Sequence, residues 1–259
     1  MHETLQLIEK RHSVRVYADR KITRETIDQI CECAMRAPTA GNMQLYSILE
    51  IQDQSLKMKL AESCDHQPFI AQAPLVLLFA ADYQRWFDYF LQSGVREWCA
   101  ARDETLRYPG EGDLMLACCD TLIAAQTAVI AAEALGIGSC YIGDILEQYE
   151  FHRDLLDLPQ YVIPVTMLCF GYEKEHRYEK RRTPRFPLNS IRHIDRYTRM
   201  TAEELDAMIA PRTPAHLPDG TENYGQAFYA RKYAADFSRE MTRSVRAMLD
   251  AWAESDEQE

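Results

Sequence analysis

Lys10-Arg11-His12-Ser13-Val14-Arg15 and Ala37-Pro38-Thr39-Ala40-Gly41-Asn42-Met43-Gln44 bracket the stretch from which the rest of this chain is read. Between them Ile27, Ile30, Cys31, Ala34 and Met35 recur at helical spacing. Thr23 is placed to cap that helix, Glu25 falls in its first turn, and Pro38 follows its end. Arg11 and Arg15 bring positive charge and Ser13 a hydroxyl. A guanidinium presents several N–H groups in one plane and so suits phosphate oxygens. The second segment is a loop of small residues carrying two side-chain amides. Small residues let backbone approach a flat ligand, while Asn42 and Gln44 offer both donors and acceptors. Together the two segments read as one end of a site for a phosphorylated, heterocyclic cofactor.

Composition sets the class. A chain of 259 residues can bury a substantial core in one or two domains. Hydrophobic residues make up 47% and charged residues 27%, as in ordinary globular proteins. With 29 basic and 40 acidic residues the net charge is -11, which argues against a nucleic-acid partner. The eight cysteines sit mostly inside apolar runs and read as small buried hydrophobes. Cys31-Glu32-Cys33 and Cys118-Cys119 have no histidine at ligand spacing, so no metal site is expected. The opening Met1-His2-Glu3-Thr4 shows no basic segment followed by an apolar one, so no export signal is expected. Reduced thiols and a cytoplasmic location follow as expectations.

Taken in order, Glu3 to Lys10 reads as a short helix with Leu5, Leu7 and Ile8 inward. Tyr46 to Gln52 alternates as a strand does, and Ser55 to Cys64 is helical. Leu75 to Ala81 is a continuous apolar run, expected as a strand covered on both faces. Tyr83 to Tyr108 carries Trp86, Phe87, Tyr89, Phe90 and Trp98 and is expected to be helical. Leu114 to Leu135 is the most apolar segment and long enough to suggest a membrane span. Asp120, Gln126 and Glu133 interrupt it, so it is expected in a large core or a dimer interface rather than in a membrane. Gly136 is a natural stop for it. Ile137 to Ile142 follows as a short strand or turn. Asp144-x-x-Glu147 and Thr201-x-x-Glu204 look like capping boxes. Val162 to Phe170 is a last strand, and Glu173 to Arg185 a charge-rich loop. Near the end Tyr229, Tyr233, Phe237, Met241, Val245, Met248, Leu249 and Trp252 form a helical stripe.

The chain resembles the FMN-dependent nitroreductases. The resemblance rests on Arg11-His12-Ser13-x-Arg15, then Pro38-Thr39-Ala40-Gly41-Asn42-x-Gln44, then Gly136 to Gly143, then Pro184-Arg185-Phe186-Pro187. Four motifs in one order carry more than any of them singly. Length and the C-terminal extension are similar to the branch containing the major oxygen-insensitive, NADPH-preferring nitroreductase and flavin reductase. The resemblance implies an α+β fold, with a mainly antiparallel central sheet flanked by helices. It places a core at 1–195 and a helical extension at 196–259, packing on the core or on a dimer partner.

The resemblance also implies site roles. Arg11 and Ser13 would contact the FMN phosphate with His12 beside them, and Arg15 would sit at the N1/C2-carbonyl end. Pro38, Thr39, Ala40, Asn42 and Gln44 would line the ribityl chain and ring, and Gln67 would bring an amide near the ring. Tyr141, Ile142 and Gly143 would lay backbone N–H groups near N5 and the C4 carbonyl. Arg185 would form a second phosphate clamp, with Arg182 standing in for a lysine that is Thr183 here. Arg231 and Lys232 either meet the NADPH 2′-phosphate or occupy an exposed helix face. The flavin carries the chemistry, so no catalytic side chain is expected. The implied activity is ping-pong reduction of nitroaromatics, quinones or flavins by NADPH or NADH in a homodimer. Rival readings are a flavoprotein of this fold with dehalogenating or flavin-fragmenting chemistry, and a non-catalytic flavin-binding sensor.

Overall fold

The computed structural model describes residues 2–174 and 183–254. The elements run α1 (Glu3–Lys10), α2 (Arg24–Ala34), β1 (Tyr46–Glu50), α3 (Gln54–Ser63), α4 (Pro68–Gln72), β2 (Leu75–Asp82), α5 (Gln84–Gln92) and α6 (Val95–Ala100). They continue with α7 (Glu111–Ala134), β3 (Gly138–Ile142), α8 (Tyr149–Leu155), β4 (Val162–Gly171), α9 (Ala202–Ile209), α10 (Tyr224–Phe228) and α11 (Asp236–Ala253). Contacts divide the chain into two compact units, Met1–His176 with Arg239–Glu259, and Arg177–Ser238. The second unit begins earlier than the expected boundary at 195 and gives most of the last helix back to the first.

In the first unit the described strands form one antiparallel sheet in the order β1-β2-β4-β3. Leu75 to Ala81 of β2 are all buried, as the unbroken apolar run requires, and Asp82 at its end is buried too. Alternate residues of β2 feed two cores. Leu75, Leu77 and Phe79 pack with Ile27 and Ile30 of α2 and with Ala124, Ala125, Ala128 and Ala132 of α7. Val76, Leu78 and Ala80 pack with Leu60 of α3 and with Cys140, Met167 and Cys169. The sheet is therefore a layer between helices.

α7 is long and apolar enough to cross a bilayer by length and composition. Ala124, Ala125, Ala128 and Ala132 instead pack against the sheet, fully buried, and its carboxylate Asp120 is buried as well. It ends where Gly136 adopts φ 72°, so that Ile137 N–H reaches back to Ala132 O. A third cluster joins Phe87, Tyr161, Met248 and Trp252, which seats the end of α11. In the second unit Thr201 and Glu204 cap α9 reciprocally, as their spacing predicts.

Several expectations are corrected. α1 forms, but Leu5 and Ile8 are more than half exposed, so they do not point inward in this chain. The Tyr83–Tyr108 segment is two short helices, and it leaves helix before Tyr108. Asp144-x-x-Glu147 makes no capping box. Asp144 opens a 3-10 turn, and α8 starts only after Gln148, which takes a left-handed φ of 48°. The aromatic stripe is broken, because Tyr229 and Tyr233 lie exposed in a π-helical turn before α11 begins. Cys119 is exposed on α7, unlike the buried Cys64, Cys99, Cys140 and Cys169.

Candidate functional site

The segment after α1 lies along the sheet edge beside β3. Ser13 bridges Ser139 in parallel, with Val14 N–H donating to Ser139 O at 2.9 Å. Tyr17 bridges Glu173, and Ala18 N–H donates to Tyr172 O at 2.8 Å. Alternation puts Val14 into the core and turns Ser13 and Arg15 outward. The close crossing needs glycine at two places. A Cβ on Gly138 would collide with Val14, and one on Gly171 with Tyr17.

Three predicted residues converge on Cys140. Burial raises its thiol pKa, while Arg15, Ser13 and Arg11 pull it down. The Arg15 guanidinium also stands 5.7 Å from the Phe69 ring centroid. Among the described residues, no carboxylate forms an ion pair with Arg11 or Arg15. His12 differs from them, because Nε2 pairs with Glu173 Oε1 at 2.6 Å and Nδ1 meets Lys10 O. Burial opposes its charge, but the Glu173 bond and the Lys10 carbonyl outweigh burial and raise its pKa. Burial likewise raises Glu133, against Arg11 and His12. The result is an anion-seeking corner of two open guanidinium groups, a hydroxyl and a cation-leaning imidazole.

β3 ends beside it. Tyr141 turns its ring toward α7, its hydroxyl donating to Gln126 at 3.2 Å, and burial pushes its pKa up to about 12. Ile142 is buried and Gly143 exposed. Gln67 lies across from them. Its Nε2 donates to Asp144 Oδ2 at 2.6 Å and to Cys64 O at 2.8 Å. Both amide hydrogens are thus used, which leaves Oε1 as the atom with which Gln67 can meet a ligand.

The Pro38–Gln44 loop is held elsewhere. Asp120 of α7 accepts from Ala40 N–H at 3.1 Å and Leu45 N–H at 3.4 Å. Thr39 Oγ1 accepts from Gln44 N–H, Trp86 Nε1 donates to Met43 O, and Arg85 donates to Gln44 O. Gly41, Asn42 and Gln44 take left-handed φ of 56°, 55° and 51°. Glycine does so freely and asparagine with modest cost. An open groove of about 1450 Å³ runs beside this loop, past Asn42, Gln44, Arg85, Trp86 and Pro159. Asp120 and Glu133 are thirteen residues apart on α7, about 20 Å at 1.5 Å per residue. One chain therefore holds the arginine corner by the C-terminal end of α7 and the small-residue loop near its middle.

Residues 8–172, which include both segments and β3, match the sequence pattern described as the nitroreductase family. The chain belongs to the nitroreductase family. It is 31% identical over 209 residues to an FMN reductase [NAD(P)H] from Bacillus subtilis, covering 81% of this chain and 79% of that protein. It is 28% identical to an NADPH-dependent oxidoreductase from Staphylococcus epidermidis, over 92% of this chain and 96% of that one. The solved structure of the hypothetical oxidoreductase YcnD from Bacillus subtilis superposes with a TM-score of 0.78 at 27% identity, covering 98% of each chain.

Of this nitroreductase's expected site residues, Arg182 lies outside the described residues. Arg185 is exposed in the second unit. Arg231 and Lys232 are exposed too, set against the Phe228 and Phe237 rings. Sequence reasoning missed Asp120 as a loop anchor, although a lone acid in an apolar helix was the signal. It also missed Glu173, Phe69 and Asp144. Asp120→Asn keeps the shape but loses the charge that two N–H groups share, so it is expected to cost about 1–2 kcal/mol. It should loosen the loop, read as faster hydrogen exchange at the Ala40 and Leu45 amides. Unchanged protection there would show that Asp120 is not the anchor.

Proposed function

We propose that this chain is an FMN-dependent NAD(P)H oxidoreductase, working as a homodimer in the cytoplasm. It passes electrons by a ping-pong sequence to small acceptors such as nitroaromatics, quinones or free flavins. Family membership and the names of its relatives support the flavin and the nicotinamide donor. Eight unpaired thiols support the compartment. The observation that carries the reading is the corner of Arg11, Ser13 and Arg15 at β3, charged and without carboxylate partners among the described residues.

The residues present fit FMN. Arg11 and Ser13 would hold its phosphate, with His12 beside them, and the family resemblance gives Arg185 the part of a second clamp. Arg15, next to Phe69, would favour negative charge at the N1/C2-carbonyl end. The backbone of Tyr141, Ile142 and Gly143 would meet the N5/C4-carbonyl edge, and Gln67 Oε1 would accept a hydrogen bond from the ring. Bound FMN supplies the centre that accepts a hydride and passes it on.

The dimer completes the site. Pro38, Thr39, Ala40, Asn42 and Gln44 lie about 20 Å along α7 from the arginine corner. Two copies of α7 packed antiparallel about a two-fold axis bring the loop of one to the corner of the other. Met115, Leu116, Leu122 and Ile123 form an exposed apolar face on α7, with Leu5 and Ile8 of α1 also uncovered. Burying such a face is the favourable term for association.

The first test is the visible spectrum of the purified protein, before and after anaerobic NADPH. A flavin spectrum that bleaches and returns with a quinone is expected. Protein that stays colourless after incubation with FMN sinks the reading. Within it, Arg15→Ala is expected to slow flavin reduction at least tenfold with FMN affinity little changed. Arg185→Ala should weaken FMN binding instead. Equal losses of affinity in both would show that Arg15 is misplaced.

A further inference from the structure

We propose that Asp144 and Glu147 form a proton-sharing carboxyl pair that supplies the proton accompanying electron transfer to the acceptor. The inference rests on the flavin reading above, which puts Gly143 at the N5/C4-carbonyl edge. Asp144 is the next residue, and Gln67 Nε2 fixes its Oδ2 at 2.6 Å. The 3-10 turn from Asp144 to Leu146 closes with Glu147 N–H donating to Asp144 O at 3.0 Å, which folds Glu147 back toward Asp144.

Glu147 is only 5% exposed, and its Oε1 has no donor among the described residues. The charges that act on it most are acidic: Asp144 from its own turn, Asp65 from the turn after α3, and Glu240 from α11, while the buried His152 of α8 meets its backbone. Arg243 on α11 is already shared between Glu240 and Glu150. A carboxyl enclosed in this way loses its hydration and gains no cation, so the neutral form is favoured. Being neutral it has a proton to give, and Asp144 is the acceptor within reach. Burial first, then the Asp144, Asp65 and Glu240 charges, push Glu147 up to about 7, near the pH at which an acid donor works best. The next residue, Gln148, lines a surface cavity of about 470 Å³ with Glu62, Ser63 and His66.

The step balances. With FMN bound, NAD(P)H would supply the hydride that reduces the acceptor. The pair supplies one proton to the acceptor's developing anion, Asp144 delivering and Glu147 replenishing it. Solvent returns that proton, so NAD(P)H, acceptor and one proton give NAD(P)+ and the reduced acceptor. Asp144 is the catalytic residue of the two and Glu147 positions and reloads it.

The test uses FMN-loaded protein reduced by NADPH, mixed in stopped flow with p-benzoquinone or with ferricyanide, from pH 5.5 to 9. Ferricyanide takes electrons without a proton and reports on any merely structural damage. Wild-type reoxidation by quinone should fall as pH rises through about 7. Glu147→Gln should slow it on the order of 10²-fold and flatten the profile, with the ferricyanide rate unchanged. Asp144→Asn should do the same, and serves if the first variant fails to fold. The buried acid has an independent readout, because its pKa is raised from 4.5 in the unfolded chain to about 7 in the folded one. Wild-type stability should therefore fall as pH rises across that window, and that of Glu147→Gln should fall less steeply. A wild-type quinone rate that is flat between pH 6 and 8, or a variant that slows both acceptors alike, overturns the pair. Failure of NADPH to bleach the flavin at any pH overturns the oxidoreductase reading instead.

Discussion

Gly138→Ala is expected to lower stability by about 1–3 kcal/mol and to release FMN, although it adds a single methyl group. The new Cβ would collide with Val14 Cγ2 and sit 2.9 Å from Val14 Cβ. Val14 cannot swing aside, since it is only 2% exposed and its N–H is bonded to Ser139 O. The segment from Ser13 to Tyr17 must then lift from the sheet edge. Ser13 and Arg15 ride on that segment, so the phosphate corner is lost with it. Thermal unfolding and an FMN titration measure the two effects. Gly143→Ala is the control for stability, because a Cβ there meets nothing within 4 Å. If Gly138→Ala binds FMN as tightly as the parent chain, the corner is not held by this crossing.

Trp252→Ala should cost still more stability, about 3–5 kcal/mol. Trp252 is fully buried, and its Nε1 donates to Gly110 O at the start of α7. Its ring meets Tyr161 edge-on at 5.4 Å, and Tyr161 meets Phe87 in the same way at 5.3 Å. Truncation removes one end of this run, leaves a cavity, and deprives the Gly110 carbonyl of its donor. At roughly 2–4 °C per kcal/mol for a chain of this size, the melting temperature should drop by about 10 °C. Trp98→Ala gives the contrast, because Trp98 is 52% exposed and its loss should stay within about 0.5 kcal/mol. A Trp252→Ala protein as stable as the Trp98→Ala protein would mean that α11 is not part of the core.

The amino-acid sequence by itself determined those features whose cause is local. β2 could be read because Leu75 to Ala81 is an unbroken apolar run that must be covered on both faces. The stop at Gly136 and the caps at Thr23 and Thr201 lie within a turn of the helix they bound. The order of Arg11-His12-Ser13-x-Arg15, the Pro38–Gln44 loop and Tyr141-Ile142-Gly143 was enough to point to the family and its flavin.

Only the tertiary structure decided what depends on residues far apart in the chain. Asp144 looked like a helix cap, but Gln67, 77 residues earlier, claims its carboxylate. Glu147 looked like the other half of that cap, and packing buried it among acids from three elements. Leu5 and Ile8 are apolar at helical spacing, yet the described residues leave them more than half exposed. Asp120 interrupts an apolar run in the sequence, and folding makes it the anchor of a loop 75 to 80 residues away. Periodicity reports which face of an element avoids water. It does not report which distant backbone N–H a buried carboxylate will find, because that is settled by the packing of the whole chain.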